Sequence, residues 1–144
     1  MHEKSWLRLA AGLAFFMAAA QTVISLSPAA AAYFQAPPPL LENRWQLLLF
    51  GEGAAVVLVV FGLYALSGAG SIRRLPLLRL GLIGISALFL LRGLFVVLSI
   101  LVVLGVIEGQ LLIQGEISTL VFLVAGLAYG IGTALNWKDL RANK

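Results

Sequence analysis

The chain has 144 residues, of which 61% are hydrophobic and 11% are charged, and its formal net charge is +4 at pH 7. A soluble domain of this length could not bury so much apolar surface, so composition excludes a soluble globular protein and indicates an integral membrane protein. The absence of cysteine excludes disulfides and thiol chemistry, and a histidine-based metal site lacks ligands because His2 is the only histidine.

The predicted elements are membrane spans, each of which needs about 20 mostly apolar residues to cross roughly 30 Å of hydrocarbon. Four such runs cover about residues 6–26, 41–66, 77–104 and 117–137, and together they form a single membrane domain over residues 1–144. Short connections between the runs predict an all-α, four-helix transmembrane bundle with antiparallel, up-down topology.

The first span, about residues 6–26, overlaps the basic opening segment MHEKSWLR and carries a smooth stripe of small residues at every fourth position: Ala10, Ala14, Ala18 and Thr22. Such a stripe lets a neighbouring helix approach closely. A secretory signal peptide is a rival interpretation, because Ala29 and Ala31 form a small-residue cleavage pattern. The apolar run is longer than the usual 7–15 residues of a signal-peptide core, which favours a retained span and leaves the alternative open.

The segments between the spans contain residues that are typical of helix starts and ends. Pro37, Pro38 and Pro39 predict a stiff, extended spacer before the second span, and Glu42 is expected in the first turn of that span. Pro76 suits the first helical position of the third span. Glycine and alanine at close spacing predict helix-packing positions at Gly51, Gly53, Gly93, Gly126, Gly130 and Ala134.

The basic residues predict the orientation. With the N-terminus inside, eight of them fall on the cytoplasmic side: Lys4, Arg8, Arg73, Arg74, Arg79, Lys138, Arg141 and Lys144. Only Arg44 falls outside, so the positive-inside rule predicts a multi-pass protein of the bacterial inner membrane with both termini in the cytoplasm. Because topology explains the basic residues, we expect no nucleic-acid partner.

Two charged residues lie inside apolar runs, Glu52 in the second span and Arg92 in the third. Each falls near the middle of its span, so helical rise places them within about 5 Å of the same depth. A lone charge at the bilayer centre costs at least about 2.5–3.5 kcal/mol, which predicts a buried Glu52–Arg92 salt bridge. Gln21 and Ser99 would fill the remaining hydrogen bonds of this polar centre, which is either a structural clasp or a ligand site.

The segment WLRLAAGLAFFMAAA resembles the first span of DoxX-like small bacterial membrane proteins, in which a Leu-Arg-Leu start leads into a glycine-containing helix. The resemblance covers mainly residues 7–19. It implies a four-helix bundle with cytoplasmic termini and transfers no functional residue.

For function, the sequence favours a non-enzymatic accessory or assembly protein that packs against the lipid bilayer and a partner membrane protein, or against further copies of itself. It needs no cofactor or metal, and no nucleophile set or phosphate-binding loop is present in the chain. The alternative is a small carrier or binding protein for a proton-coupled solute, a quinone or a lipid, with Glu52 and Arg92 lining the site.

Overall fold

The computed structural model describes residues 3–34, 38–106 and 113–141, with the side chains of residues 113–116 outside the described part. Within these ranges the chain is helical and contains no strand. The helices are α1 (Glu3–Leu26), α2 (Pro28–Tyr33), α3 (Pro38–Glu42), α4 (Arg44–Gly68), α5 (Leu78–Gly93), α6 (Phe95–Val103), α7 (Ile113–Leu135) and α8 (Trp137–Arg141).

Four stretches of helix are long and apolar enough to cross a membrane: Glu3–Leu26, Arg44–Gly68, Leu78–Val103 and Ile117–Leu135. The prediction of an all-helical chain with four membrane-length helices is therefore confirmed. The third stretch is not one regular helix, because it is interrupted at Leu94 between α5 and α6. There the Val97 amide bonds to the Leu94 carbonyl three residues back, which tightens the turn.

The helix starts differ from the predictions. The side chain of Asn43 accepts hydrogen bonds from the amides of Trp45 and Gln46 and caps α4. Asparagine is a stronger cap than glutamate, so Glu42 ends α3 instead of opening the second span. Pro38 and Pro39 were expected to be extended, yet they form the first turn of α3, where proline is tolerated. The preceding proline, at position 37, lies outside the described residues.

The turn between α4 and α5 is held by hydrogen bonds. The Ser67 hydroxyl donates to the Arg73 carbonyl and accepts from the Leu75 amide. The Pro76 carbonyl accepts a hydrogen bond from the Tyr64 hydroxyl, so Pro76 belongs to the turn and α5 begins two residues later than predicted. These bonds fix the backbone at the start of α5.

The long helices are arranged as two antiparallel pairs. α1 packs mainly against α4, α5 packs mainly against α7, and the pairs meet through α1 and α7. Asn136, just after α7, donates from its side-chain amide to the Glu3 carbonyl at the start of α1. Contacts between α4 and α5 are fewer, and those described include Tyr64 against Gly81 and Phe61 against Phe89.

The core combines small residues with an aromatic cluster. Ala10, Ala14 and Ala18 of α1 are buried, as close helix approach requires. The ring of Phe89 makes edge-to-face contacts with those of Phe61, Phe122 and Tyr129, with centroids 5.4–5.6 Å apart. The Tyr129 hydroxyl donates to the Phe61 carbonyl at 2.7 Å and links the two pairs. Its polar group is thereby satisfied away from water.

Glycines set close contacts between α5 and α7. A methyl group built at Gly126 would lie 2.9 Å from the Leu90 backbone nitrogen, and one at Gly93 would lie 2.8 Å from the Leu123 Cα. Gly130 similarly approaches the Ser86 hydroxyl, which donates to the Gly126 carbonyl. These contacts bring α5 and α7 together.

We expect Gly126→Ala to destabilise the protein by about 1–3 kcal/mol, because its methyl group must displace backbone of α5. Gly84→Ala on α5 is the matched control, since a methyl there meets nothing within 4 Å. That control should be neutral or slightly stabilising, because alanine favours helix. Unfolding of both variants in detergent, followed by circular dichroism, measures the difference. Equal stabilities would contradict the described packing of α5 on α7.

Candidate functional site

Glu52 lies half-buried on α4 and faces the end of α1. The Ser25 hydroxyl donates to the Glu52 Oε1 at 2.5 Å, and the Thr22 hydroxyl donates to Oε2 at 3.4 Å. Ser25 is only 2% exposed. A methyl group at the neighbouring Gly51 would collide with the Ser25 side chain, so this glycine is what lets the hydroxyl reach the carboxylate.

Arg92 lies near the end of α5 with an exposed side chain. Its Nη1 donates to the Thr119 hydroxyl of α7 at 3.2 Å. The guanidinium carbon lies 5.4 Å from the centroid of the Phe95 ring and 5.7 Å from that of Phe122, within the range of cation–π attraction. Among the described residues no carboxylate pairs with Arg92.

The predicted Glu52–Arg92 salt bridge is therefore wrong: the described structure contains no buried ion pair, and each charge has other partners. The reason lies in helix pairing. The prediction paired the charges of two consecutive spans. Instead α4 packs along α1 and α5 packs along α7, so the two charges face different helices.

The two charges do lie at similar depths along the bundle, close to the predicted separation of about 5 Å. Asn136 is level with Glu3, so the antiparallel register places Thr119 level with about residue 20 of α1. Thr22 and Ser25 then lie roughly 3–8 Å farther along the bundle axis. Both charges are in the half of the bundle away from Glu3, on different helix pairs.

The other residues predicted for the polar centre do not join it. Gln21 is half-buried on α1 and takes no part in the hydrogen bonds of Glu52 or Arg92. The Ser99 hydroxyl donates to the Phe95 carbonyl of its own helix. Of the predicted packing positions, Gly53 meets nothing within 4 Å and Ala134 is exposed.

A groove of about 470 Å³ runs along the outside of α1 and α4 and reaches Glu52. Its walls are apolar apart from Thr22 and the carboxylate, and Ala18, Ala19 and the exposed Val56 contribute to them. Ligand pockets typically have volumes of about 300–1,000 Å³. The groove is therefore large enough for part of an amphipathic molecule whose polar group meets Glu52.

Three hydroxyl residues of this region were missed by the sequence analysis as partners of the charges: Thr22, Ser25 and Thr119. The sequence contained part of the signal, because Thr22 belongs to the small-residue stripe and Ser25, three residues later, lies on the same helix face. Thr119 accepts from Arg92 of another helix, and the spacing of residues along the chain does not indicate this contact. Groups of three or more potential metal ligands are absent from the described part of the chain.

We expect the free-energy coupling between Glu52→Gln and Arg92→Met to be below about 0.5 kcal/mol, because the side chains share no partner. Ser25→Ala and Glu52→Ala should instead be coupled by about 1–2 kcal/mol, since each removes one partner of the same hydrogen bond to a charged group. Two double-mutant cycles with unfolding in detergent measure both values. A coupling above 2 kcal/mol for the first pair would restore the predicted salt bridge.

Comparison of the chain with protein-family models, curated proteins and solved structures finds no match. The DoxX-like resemblance of residues 7–19 accordingly stays a prediction.

Proposed function

We propose that the protein is a non-enzymatic accessory or assembly protein of a membrane, which docks through Arg92 onto a transmembrane helix that carries a carboxylate. The observation that carries this proposal is the exposed guanidinium of Arg92 on a membrane-length helix. Its described hydrogen bond goes to a neutral hydroxyl, so its positive charge is not neutralised within the described chain.

Depth supports the proposal. Thirteen residues separate Arg79 from Arg92, which corresponds to about 20 Å of helix. If Arg79 lies at one membrane interface, Arg92 is about two thirds of the way across a 30 Å hydrocarbon core. Its guanidinium extends farther in the same direction, because the contacts of Gly126 with Leu90 and of Gly93 with Leu123 place its partner Thr119 level with about residue 97 of the third span. The charge thus lies toward the far edge of the hydrocarbon core, on an exposed helix face that is open to a partner.

Energetics favour a partner. Arginine costs about 2.5–3.5 kcal/mol at the bilayer centre on insertion scales, and less toward the edge of the hydrocarbon core. Cation–π contacts return about 0.5–1 kcal/mol at exposed sites, so Phe95 and Phe122 offset only part of that cost. A carboxylate on a neighbouring helix would offset the remainder with a charge-assisted hydrogen bond.

The surroundings of Arg92 suit a helix as the partner. Leu88, Leu91 and Phe95 are exposed and lie at helical spacing around Arg92, so they share one face. We call the surface formed by Leu88, Leu91, Arg92 and Phe95 the Arg92 face. A partner helix would gain van der Waals contact along this stripe and place its carboxylate beside the guanidinium.

The proposal also covers the orientation of the protein in the membrane and the membrane in which it lies. We place the protein in a bacterial inner membrane with both termini in the cytoplasm. The basic residues support this, because Lys4, Arg8, Arg74, Arg79 and Lys138 lie at the bundle end that contains Glu3, and cytoplasmic ends are enriched in arginine and lysine.

We expect a photoactivatable benzoylphenylalanine in place of Phe95 to form one discrete protein adduct in native membranes, and the same residue in place of Phe50 to form none. Phe50 is exposed on α4, away from the Arg92 face. Arg92→Gln should abolish the adduct, because it removes the charge that holds the partner carboxylate. Arg44→Gln, which removes one exposed positive charge elsewhere, should leave it intact.

The crosslinked peptide decides the outcome. Mass spectrometry should find it on a transmembrane helix with an aspartate or glutamate, and a peptide containing Glu52 would identify a second copy of this chain as the partner. Absence of an adduct, or an adduct that persists in Arg92→Gln, would refute docking through Arg92.

A second candidate function is favoured by the groove that reaches Glu52. Its apolar walls and opening toward lipid suit a membrane-soluble amphiphile, such as a quinone or a lipid with a neutral polar group, which would hydrogen-bond to the carboxylate. In this function the hydroxyls of Ser25 and Thr22 hold Glu52 in position.

We expect Ala19→Leu to reduce any copurifying amphiphile at least about tenfold, because the larger side chain fills the groove without touching the hydrogen bonds of Glu52. Ala54→Leu is the control, since Ala54 is exposed on α4 and lies outside the groove. Native mass spectrometry of the protein purified in mild detergent measures the bound fraction. Equal occupancy in both variants, or none in the unaltered protein, would remove this candidate.

A further inference from the structure

We propose that the start of α5 forms a binding site for the headgroup of an anionic phospholipid, held by Arg74 and Arg79. This site lies at the bundle end opposite to Glu52 and Arg92, and it is independent of the docking proposal. Its elements are a cavity, two guanidinium groups that pair with no carboxylate among the described residues, and two exposed leucines.

The cavity has a volume of about 350 Å³ and lies against the first turn of α5. Arg74 and Arg79 line it together with Leu77, Leu80 and Leu140. Basic pockets between transmembrane helices at a membrane interface are suited to anionic lipid headgroups. The size and lining therefore fit a phosphodiester group with the start of its acyl chains.

Both arginines are anchored by neutral groups. The Arg74 Nη2 donates to the Asp139 backbone carbonyl at 3.0 Å, and the Arg79 Nη2 donates to the Trp137 carbonyl at 3.1 Å. The Arg79 guanidinium also stacks on the Trp137 ring, with its carbon 4.1 Å from the centroid. The Asp139 side chain is the nearby acidic group on α8, and within the described residues it forms no ion pair with either arginine.

Arg74 and Arg79 retain N–H groups that form no described hydrogen bond. A guanidinium has five N–H donors, and each of these arginines has one described hydrogen bond. The Nε of Arg79 is buried and has no partner among the described residues. Two pre-positioned guanidinium groups match the oxygen geometry of a phosphate better than mobile lysines would.

The backbone adds to the positive potential. Leu77 at the N-cap position provides no side-chain hydrogen bond, so the first amides of α5 are uncapped on the side that lines the cavity. The N-terminus of a helix carries partial positive charge and attracts anions. This contribution supports the two arginines and does not replace them.

The apolar lining distinguishes a lipid from a soluble anion. Leu77 and Leu80 are 74% and 65% exposed beside the arginines. A free phosphate would leave these side chains in contact with solvent, whereas the acyl chains of a phospholipid would cover them. The combination of a cationic pocket and an adjacent apolar surface thus favours a membrane lipid.

The test compares lipids that differ only in headgroup charge. The full chain in neutral detergent is titrated with phosphatidylglycerol or with phosphatidylcholine of identical acyl chains, and adducts are counted by native mass spectrometry. We expect phosphatidylglycerol to bind at least about tenfold more tightly, because one charge-assisted hydrogen bond corresponds to roughly that factor. It should also raise the unfolding temperature.

Arg74→Gln combined with Arg79→Gln should abolish the preference for phosphatidylglycerol. The control combines Arg8→Gln with Arg141→Gln, which removes the same charge at the same end from exposed residues outside the cavity. Arg79→Gln also loses the stack on Trp137, so the single variant Arg74→Gln provides a second measurement. It loses only an exposed hydrogen bond to the Asp139 carbonyl, and it should weaken binding with little change in the unfolding temperature in lipid-free detergent.

Three results would overturn the proposal. Equal binding of the two lipids would show that only acyl chains are recognised. An equal loss in the control variant would show a general charge effect. Inorganic phosphate that raises the unfolding temperature as much as phosphatidylglycerol would identify a soluble anion as the ligand.

Discussion

Close helix approach at small residues is the constraint on which the rest of the structure depends. Lipid provides no hydrophobic force between apolar helices, so helices associate where small side chains let their backbones meet. Gly51 meets Ser25 in one helix pair, and Gly126 meets Leu90 in the other. These contacts decide that α4 follows α1 and that α5 follows α7, although α4 and α5 are consecutive in the chain.

The pairing of the helices determines the partners of both intramembrane charges. Glu52 is turned to the hydroxyls of α1, which satisfy a carboxylate with hydrogen bonds. Arg92 is turned to Thr119 and two aromatic rings, which satisfy one donor without supplying a negative charge. The bundle therefore contains a carboxylate in a groove and a cation at its surface, and the second arrangement is what suggests a partner.

Much of the fold follows from composition and periodicity, because span length is dictated by bilayer thickness and every span here is strongly apolar. The break at Leu94 and the capping by Asn43 depend on local hydrogen bonds that apolar runs do not reveal. The contact of Arg92 with Thr119 could not be predicted from the sequence. Leu-rich spans have several faces of equal hydropathy, so hydropathy does not show which face packs against which helix. Only the contacts of Gly93 and Gly126 select one of them.

Arg74, Arg79 and Arg92 share one feature that links the two ends of the bundle. Each described hydrogen bond of these guanidinium groups goes to a neutral oxygen, a carbonyl or a hydroxyl, and two of the three groups lie over aromatic rings. Such contacts fix the orientation of an arginine while leaving its charge uncompensated. Pairing Arg74 and Arg79 with the chain's own carboxylates would gain little at an exposed bundle end, and pairing any of the three arginines in this way would remove its attraction for an external anion. The arrangement therefore favours arginines that act on molecules outside the chain: a phospholipid at the basic end, and a carboxylate-bearing helix on the Arg92 face.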